Sequence, residues 1–430
     1  MRSDELEDPA APARTGWREV LRGPQSGLTL GLTLLTLSVA TESLVITAIM
    51  PAIVRDIGGL SLYGFAFSAF FLAGLVSIPI AGWGVDRFGP AVPFGVTMSI
   101  FLIGTLIAAL SPNMPVLVLA RGAQGLGAAA QFTISQSTIA RAYPLSARVR
   151  VLSLMSATWI LPSLLGPSLG AAITSLLGWR WAFGIILLPA LLATVFTFPL
   201  LRQVRPAGTA SARPTVRRPL QVALGTGLLV TGLTYFSWWG AIVTVAGLAV
   251  AVDALRHTLP AGSLSARRGL PAIVAASFFL NLGFYAAASF VPLVLVGVRG
   301  TSVFAAGLGI MASTVAWTVG VWLNTQLVDR YPRGLLVAGF AMLLAASSVG
   351  FATAIYGAPL LFAYLTLPFA GLSMGICFNT LTLNAMAAAS RGAEGFALAG
   401  RNLTANLGTA VGTGVGGAAL AASQAAALGL

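Results

Sequence analysis

The feature that most constrains this chain is a succession of apolar runs, mostly of about twenty residues or more, separated by short segments that carry most of the charge. A helix needs about 20 such residues to cross a hydrocarbon core of about 30 Å, and lipid tolerates no unsatisfied backbone polar group. The runs therefore predict membrane-spanning helices. Six lie near 28–54, 61–82, 91–111, 115–140, 151–176 and 181–202. Two shorter runs, 220–237 and 240–256, meet at Trp238 and Trp239 and predict a hairpin with an aromatic anchor at the membrane interface. Five more follow near 271–297, 303–328, 335–355, 358–388 and 395–422. With 57% hydrophobic and 8% charged residues in 430 positions, the expected class is an all-α polytopic membrane protein.

A formal charge of +13 raises the question of a nucleic-acid partner, but all 24 basic residues are arginines gathered mainly between the apolar runs. Nineteen fall on the side of the N-terminus, Arg55, Arg180 and Arg299 on the other, and Arg121 and Arg401 within runs. This is the positive-inside pattern, not a basic binding face. It predicts a cell-membrane protein with a cytoplasmic N-terminus, thirteen spans and a C-terminus outside. Residues 1–27, acidic at the start and rich in Pro and Ala, read as a disordered cytoplasmic tail; six residues, Trp17 to Arg22, are too few to commit to a surface helix. One cysteine, Cys377, and one histidine, His257, leave no internal disulfide, Cys or His metal cluster or histidine relay. With no nucleophile–base pair either, neither an enzyme nor a cofactor is expected.

Val85-Asp86-Arg87-Phe88 follows the second run, and Val328-Asp329-Arg330-Tyr331 follows the second run of the later block, 243 positions on. Leu28 and Pro271, where the two blocks begin, differ by the same 243. One register from two features predicts a repeated six-helix unit with the hairpin inserted between copies. The expected division is a tail at 1–27, a first bundle at 28–202, a linker at 203–270 holding the hairpin (about 220–256), and a second bundle at 271–430. The second bundle has five runs, so its final helix is expected to be missing.

Glu42 lies near the middle of the first run, where a charge costs about 2.5–3.5 kcal/mol and ordinarily faces a cavity, a partner charge or a proton path. On the fourth run, Arg121, Gln124, Gln131, Ser135 and Thr138 return to roughly one helical face, a polar stripe suited to lining a path or to bonding a neighbouring helix. Arg121 needs an acceptor, and Glu42 is the carboxylate at matching depth. Ser277, Asn281, Tyr285 and Ser289 form a comparable stripe opening the second block. Pro162 and Pro167 break the backbone ladder of the fifth run while Gly166 and Gly170 permit close approach, which suits a bend at a moving interface. Asp86-Arg87 and Asp329-Arg330 sit where an acid can cap or pair with a neighbouring helix end. Arg401 lies inside the cytoplasmic end of the last run, where snorkelling is an alternative to function.

Four stretches carry a family pattern. Gly82-Trp83-Gly84-Val85-Asp86-Arg87-Phe88-Gly89 is similar to a loop motif, with Pro90 where a basic residue is common. Arg121-Gly122-Ala123-Gln124-Gly125-Leu126-Gly127-Ala128 is similar to a motif of the fourth helix associated with proton coupling. Gly166-Pro167-Ser168-Leu169-Gly170-Ala171 is similar to the antiporter motif of the fifth, with Ala171 for the usual glycine, and Glu42 to Pro51 follows a first-helix pattern whose acid is usually aspartate. Together they resemble the major facilitator superfamily, and within it the drug/proton antiporters with fourteen helices. A helix 11 arginine of that group falls on Ala405, one turn after Arg401.

The resemblance implies two pseudo-symmetric six-helix bundles, alternating access and export driven by the proton gradient. The expected function is a proton-coupled exporter of lipophilic or amphiphilic small molecules such as drugs. In it, Glu42 and Arg121 couple the proton, and Gln124, Gln131, Asn281 and Tyr285 line the substrate cavity. Asp86, Arg87, Gly166, Pro167, Gly170, Asp329 and Arg330 serve the conformational change, and Arg401 is a candidate charge partner. The expected partners are a small-molecule substrate, protons and the bilayer, for a monomer. A solute-uptake symporter, an exporter of lipid-like amphiphiles and a non-transporting membrane sensor or scaffold are the alternatives; the Gly-Pro motif counts against uptake, and no attached soluble domain supports a sensor.

Overall fold

Caps, glycines and prolines set where the helices stop. The computed structural model describes residues 17–59, 62–204, 216–234, 238–293, 303–328, 330–356, 359–390 and 393–428. Ahead of the bundle stands α1 (Trp17–Arg22), and the first half follows as α2 (Ser26–Ile57), α3 (Tyr63–Phe88), α4 (Ala91–Ala109), α5 (Met114–Ala142), α6 (Leu145–Ala157), α7 (Ile160–Leu177) and α8 (Trp179–Leu201). The hairpin is α9 (Arg217–Thr234) and α10 (Trp238–Thr258). The second half is α11 (Leu270–Leu293), α12 (Val303–Leu327), α13 (Pro332–Tyr356), α14 (Leu360–Ala388) and α15 (Glu394–Leu428). At the start of α5, the Asn113 side chain accepts from Val116 N at 3.0 Å, with a proline in the first turn whose missing N–H costs nothing there. Gly89, with φ of 77°, closes α3.

Two expectations are corrected. Residues 17–27 are not a disordered tail. Val20 is buried, the Tyr143 hydroxyl lies 2.8 Å from Thr29 Oγ1 and donates to Gln25 O at 3.2 Å, and the Gln25 amide donates to Ala142 O. Apolar burial and paired polar groups hold this segment against the end of α5; residues 1–16 lie outside the described set. The fifth run is two helices, α6 and α7, parted at Thr158 and Trp159. Pro162 has no N–H for the Thr158 carbonyl four residues back and its ring crowds that carbonyl, so the ladder fails there.

Among the described residues, eight helices are long and apolar enough to cross a membrane, within α2, α3, α4, α8, α10, α11, α13 and α14. Although 29 residues long, α5 falls short among the described residues because Arg121, Gln124 and Gln131 lower its hydropathy. The first half packs around Ile46, Met50, Phe94, Phe101 and Phe183, the second around Leu280, Phe284, Leu343, Met374 and Cys377. A third apolar cluster joins them: Leu75 and Ile78 of α3 meet Leu403 and Leu407 of α15, with Val222 of α9 and Leu255 of α10 against the same seam. The hairpin thus packs on the junction of the halves. Leu176, Val195, Val337 and Leu344 stand exposed on the outside, an apolar surface of the kind that faces lipid.

Candidate functional site

A buried polar cluster inside the first half joins four helices. Arg121 Nη1, on α5, donates to Glu42 Oε1, on α2, and to Gln124 Oε1 at 2.9 Å. Arg121 Nε donates to the Ala66 carbonyl of α3 at 3.2 Å, and the guanidinium carbon lies 4.5 Å from the centre of the Phe70 ring. Gln124 Nε2 reaches Thr105 Oγ1 of α4 at 2.9 Å, and Ser43 donates to Glu42 Oε2 at 3.4 Å. Glu42 is 0% exposed and Arg121 3%. Such a pair persists away from water only with its remaining donors and acceptors satisfied, and removing one member strands the other. The carboxylate here has one strong cationic partner, Arg121, and the pair ties α2 to α5.

That link reaches α7. Glu42, Val45 and Ile49 lie along one side of α2, and a Cβ at Gly170 would stand 3.3 Å from Ile49 Cγ2 and 3.4 Å from Val45 Cγ1. The absent side chain lets α7 lie close to α2. Gly166 and Pro167 lie within α7, and their side-chain surroundings fall outside the described set.

A second cluster sits at the arginine-rich end, where the halves touch. Asp86, at the foot of α3, accepts from Gly395 N and Phe396 N at 2.9 Å each, capping the first turn of α15. Arg141, from the last turn of α5, donates to Asp86, to Val85 O at 3.0 Å and to Glu394 at 3.4 Å. Beside it the helices cross on bare backbone: a Cβ on Gly82 would lie 2.5 Å from the Gly395 carbonyl oxygen. Arg87, expected to act with Asp86, is exposed, and Arg141 takes that place. Arg141 and Glu394 were the residues not singled out from sequence; the readable signal was a basic residue in the last turn of one helix and an acid in the first turn of another. Asp329 lies outside the described residues, and Arg330 is exposed, 5.3 Å from the Tyr331 ring centre. At the opposite end Asp56 accepts from Trp179 Nε1 at 2.9 Å and Arg180 Nη1 at 2.7 Å, and these two donors hold its carboxyl below the usual range.

The expected cavity residues are distributed differently. Gln131 Nε2 donates to Thr97 Oγ1 at 3.1 Å, so Gln124 and Gln131 both lie in the seam between α5 and α4, inside the first half. Asn281 Nδ2 donates to Ser277 O of its own helix at 2.8 Å, and Tyr285 packs edge-on against Phe284, centroids 5.1 Å apart. Thr133 is nine residues from Gln124, hence on the opposite face of α5, and it accepts from Asn402 Nδ2 of α15 at 3.1 Å. Phe132 likewise meets Phe378 of α14 across the halves at 6.2 Å. Arg401 is 0% exposed and does not snorkel: it donates to Asn402 Oδ1 at 3.1 Å and Phe378 O at 3.3 Å. Among the described residues there is no cluster of three His, Cys, Asp or Glu side chains able to hold a metal.

The family model described as Major Facilitator Superfamily matches residues 32–413. The chain is 27% identical over 422 residues to a probable multidrug-efflux transporter of Mycobacterium tuberculosis, covering 93% of this chain and 88% of that protein. It is 23% identical over 377 residues to the multidrug transporter protein MdtP of Bacillus subtilis, covering 84% and 69%. Among solved structures, the human organic anion transporter MFSD10 superposes with a TM-score of 0.69 at 16% identity, over 93% of this chain and 94% of that one. The proton:xylose symporter XylE of E. coli gives 0.63 at 19%, over 93% and 95%.

Proposed function

Since the chain belongs to the Major Facilitator Superfamily, and is therefore a membrane transporter of small molecules, we propose that it exports lipophilic or amphiphilic compounds by proton antiport, with Glu42 carrying the proton. The observation that carries this reading is the fully buried pair of Glu42 and Arg121, tied by Gln124, Thr105 and the Ala66 carbonyl to three further points of the bundle. Similarity to proteins named multidrug transporters supports the substrate class.

Protonation of Glu42 removes the charge that Arg121 holds, while Arg121 keeps Gln124, the Ala66 carbonyl and the face of Phe70. The tie between α2 and α5 then loosens. Because α7 lies on the same side of α2, a shift of α2 is passed to α7, which is already parted from α6 at Thr158 and Trp159. Release of Asp86 from the first turn of α15 opens the arginine-rich end, the expected cytoplasmic side, and its recapture closes it. Alternation of these two events moves solute one way and protons the other.

The test is a substrate screen in inverted vesicles with an imposed pH gradient. The parent should accumulate its substrate, and Glu42→Gln, expressed to the same level, should not. Gradient-driven accumulation unchanged by that substitution would refute the mechanism.

A further inference from the structure

Among the described residues Arg401 has no counter-ion. Of the eleven acids in the chain, Glu42 is held by Arg121, Asp56 by Arg180, Asp253 by Arg218, and Asp86 and Glu394 by Arg141. Glu19 lies on α1, and the five others, Asp4, Glu5, Glu7, Asp8 and Asp329, lie outside the described residues in the N-terminal segment and the loop after α12. The Arg401 guanidinium meets only neutral acceptors, its Nε has no partner, and its carbon lies 3.9 Å from the centre of the Phe378 ring. A buried cation left without a charge of opposite sign costs several kcal/mol, so its place here needs a reason beyond packing.

The surroundings supply one. Asn379, next to Phe378 on α14, is 2% exposed and its Nδ2 has no acceptor, a second idle donor on the helix whose Phe378 carbonyl already accepts from Arg401. Gln136, on α5 one turn from Phe132, holds a buried amide whose oxygen is also unpaired, and an amide turned about its last bond offers donors instead. Aromatic rings adjoin: Phe378 contacts Phe132 at 6.2 Å and Trp317 at 5.9 Å, and Trp317 meets Phe284 at 5.4 Å. These side chains come from α5, α11, α12 and α14, on both sides of the seam that the Asn402–Thr133 bond closes.

We propose that Arg401 and Asn379 form the head-group subsite for an organic anion, a carboxylate, sulfonate or phosphate, whose apolar body lies along Phe132, Trp317 and Phe378 when the seam opens. The substrate class is thus an anionic or zwitterionic amphiphile and not a lipophilic cation. The inference deepens the export reading and rests on it for transport, but the preference among head groups needs no proton coupling. A free organic acid and a membrane lipid share this head-group chemistry.

The experiment uses the full chain in phosphatidylcholine nanodiscs and three matched probes, pyrenebutyrate, its neutral amide and the corresponding pyrenebutylammonium, with binding read by energy transfer from tryptophan to pyrene. Pyrenebutyrate should bind about tenfold or more tighter than the other two, the order supplied by hydrogen bonds to a charged group. Arg401→Gln should erase the preference and Arg401→Lys keep part of it. Glu42→Gln should shift the affinities of the three probes together and keep their order, so failure of proton coupling and failure of this subsite are read separately. Equal binding of the three probes by the parent overturns the proposal even if Arg401→Gln does not fold, as does a preference retained in that variant. With phosphatidylglycerol in the discs, loss of pyrenebutyrate binding assigns the subsite to a lipid head group, and unchanged binding assigns it to a free acid.

Discussion

At the scale of single residues, the proposed mechanism depends on charges kept away from water. Glu42→Gln leaves Arg121 buried without a carboxylate, and breaking a buried pair from one side costs about 3–5 kcal/mol, toward the low end here because glutamine keeps an acceptor. Adding Arg121→Met removes the stranded cation, so the double variant should melt above the single Glu42→Gln variant in a thermal unfolding assay in detergent. A double variant melting lower than both singles would mean that the residues do not act as a pair. Much of this site was legible in the sequence: a lone acid in an apolar run and an arginine at matching depth are each so costly that pairing is the economical solution. Arg141 was harder to read because an arginine at a helix end fits the positive-inside pattern equally well, and only the fold brings it to Asp86 and Glu394.

At the scale of elements, the crossing of α3 and α15 is decided by two glycines. Gly82→Ala would press a methyl against the Gly395 carbonyl, and overpacking of that kind costs about 1–3 kcal/mol. Gly122, on α5, has no atom within 4 Å of its missing Cβ, so Gly122→Ala should stabilise the helix by about 0.5–1 kcal/mol. Melting temperatures of the two variants should move in opposite directions. Apolar runs placed the helices well but not the break between α6 and α7: hydropathy continues through Thr158 and Trp159, and the missing donor sits at Pro162, one turn downstream. Gln124 and Gln131 show a related limit. Helical periodicity put them on one face of α5, while the choice between α4 and a cavity as the neighbour of that face is a matter of packing alone.

At the scale of the whole molecule, the two halves meet along α3 and α15, with the hairpin α9 and α10 beside that seam and a cap of charge at the arginine-rich end. The offset of 243 residues is read from a loop motif and a run boundary, both of them short-range features that a sequence displays directly. The seam was not, since residues that meet across it lie about three hundred positions apart and carry no mark of their partners. Coupling across such a body requires that solute binding and proton binding favour different arrangements of one scaffold. The most direct measurement is proton release on adding a transported solute to the purified protein in weakly buffered detergent, followed by a pH-sensitive dye. The parent should release protons in proportion to bound solute and Glu42→Gln should release none. Equal release from both would contradict the claim that Glu42 is the coupling carboxylate.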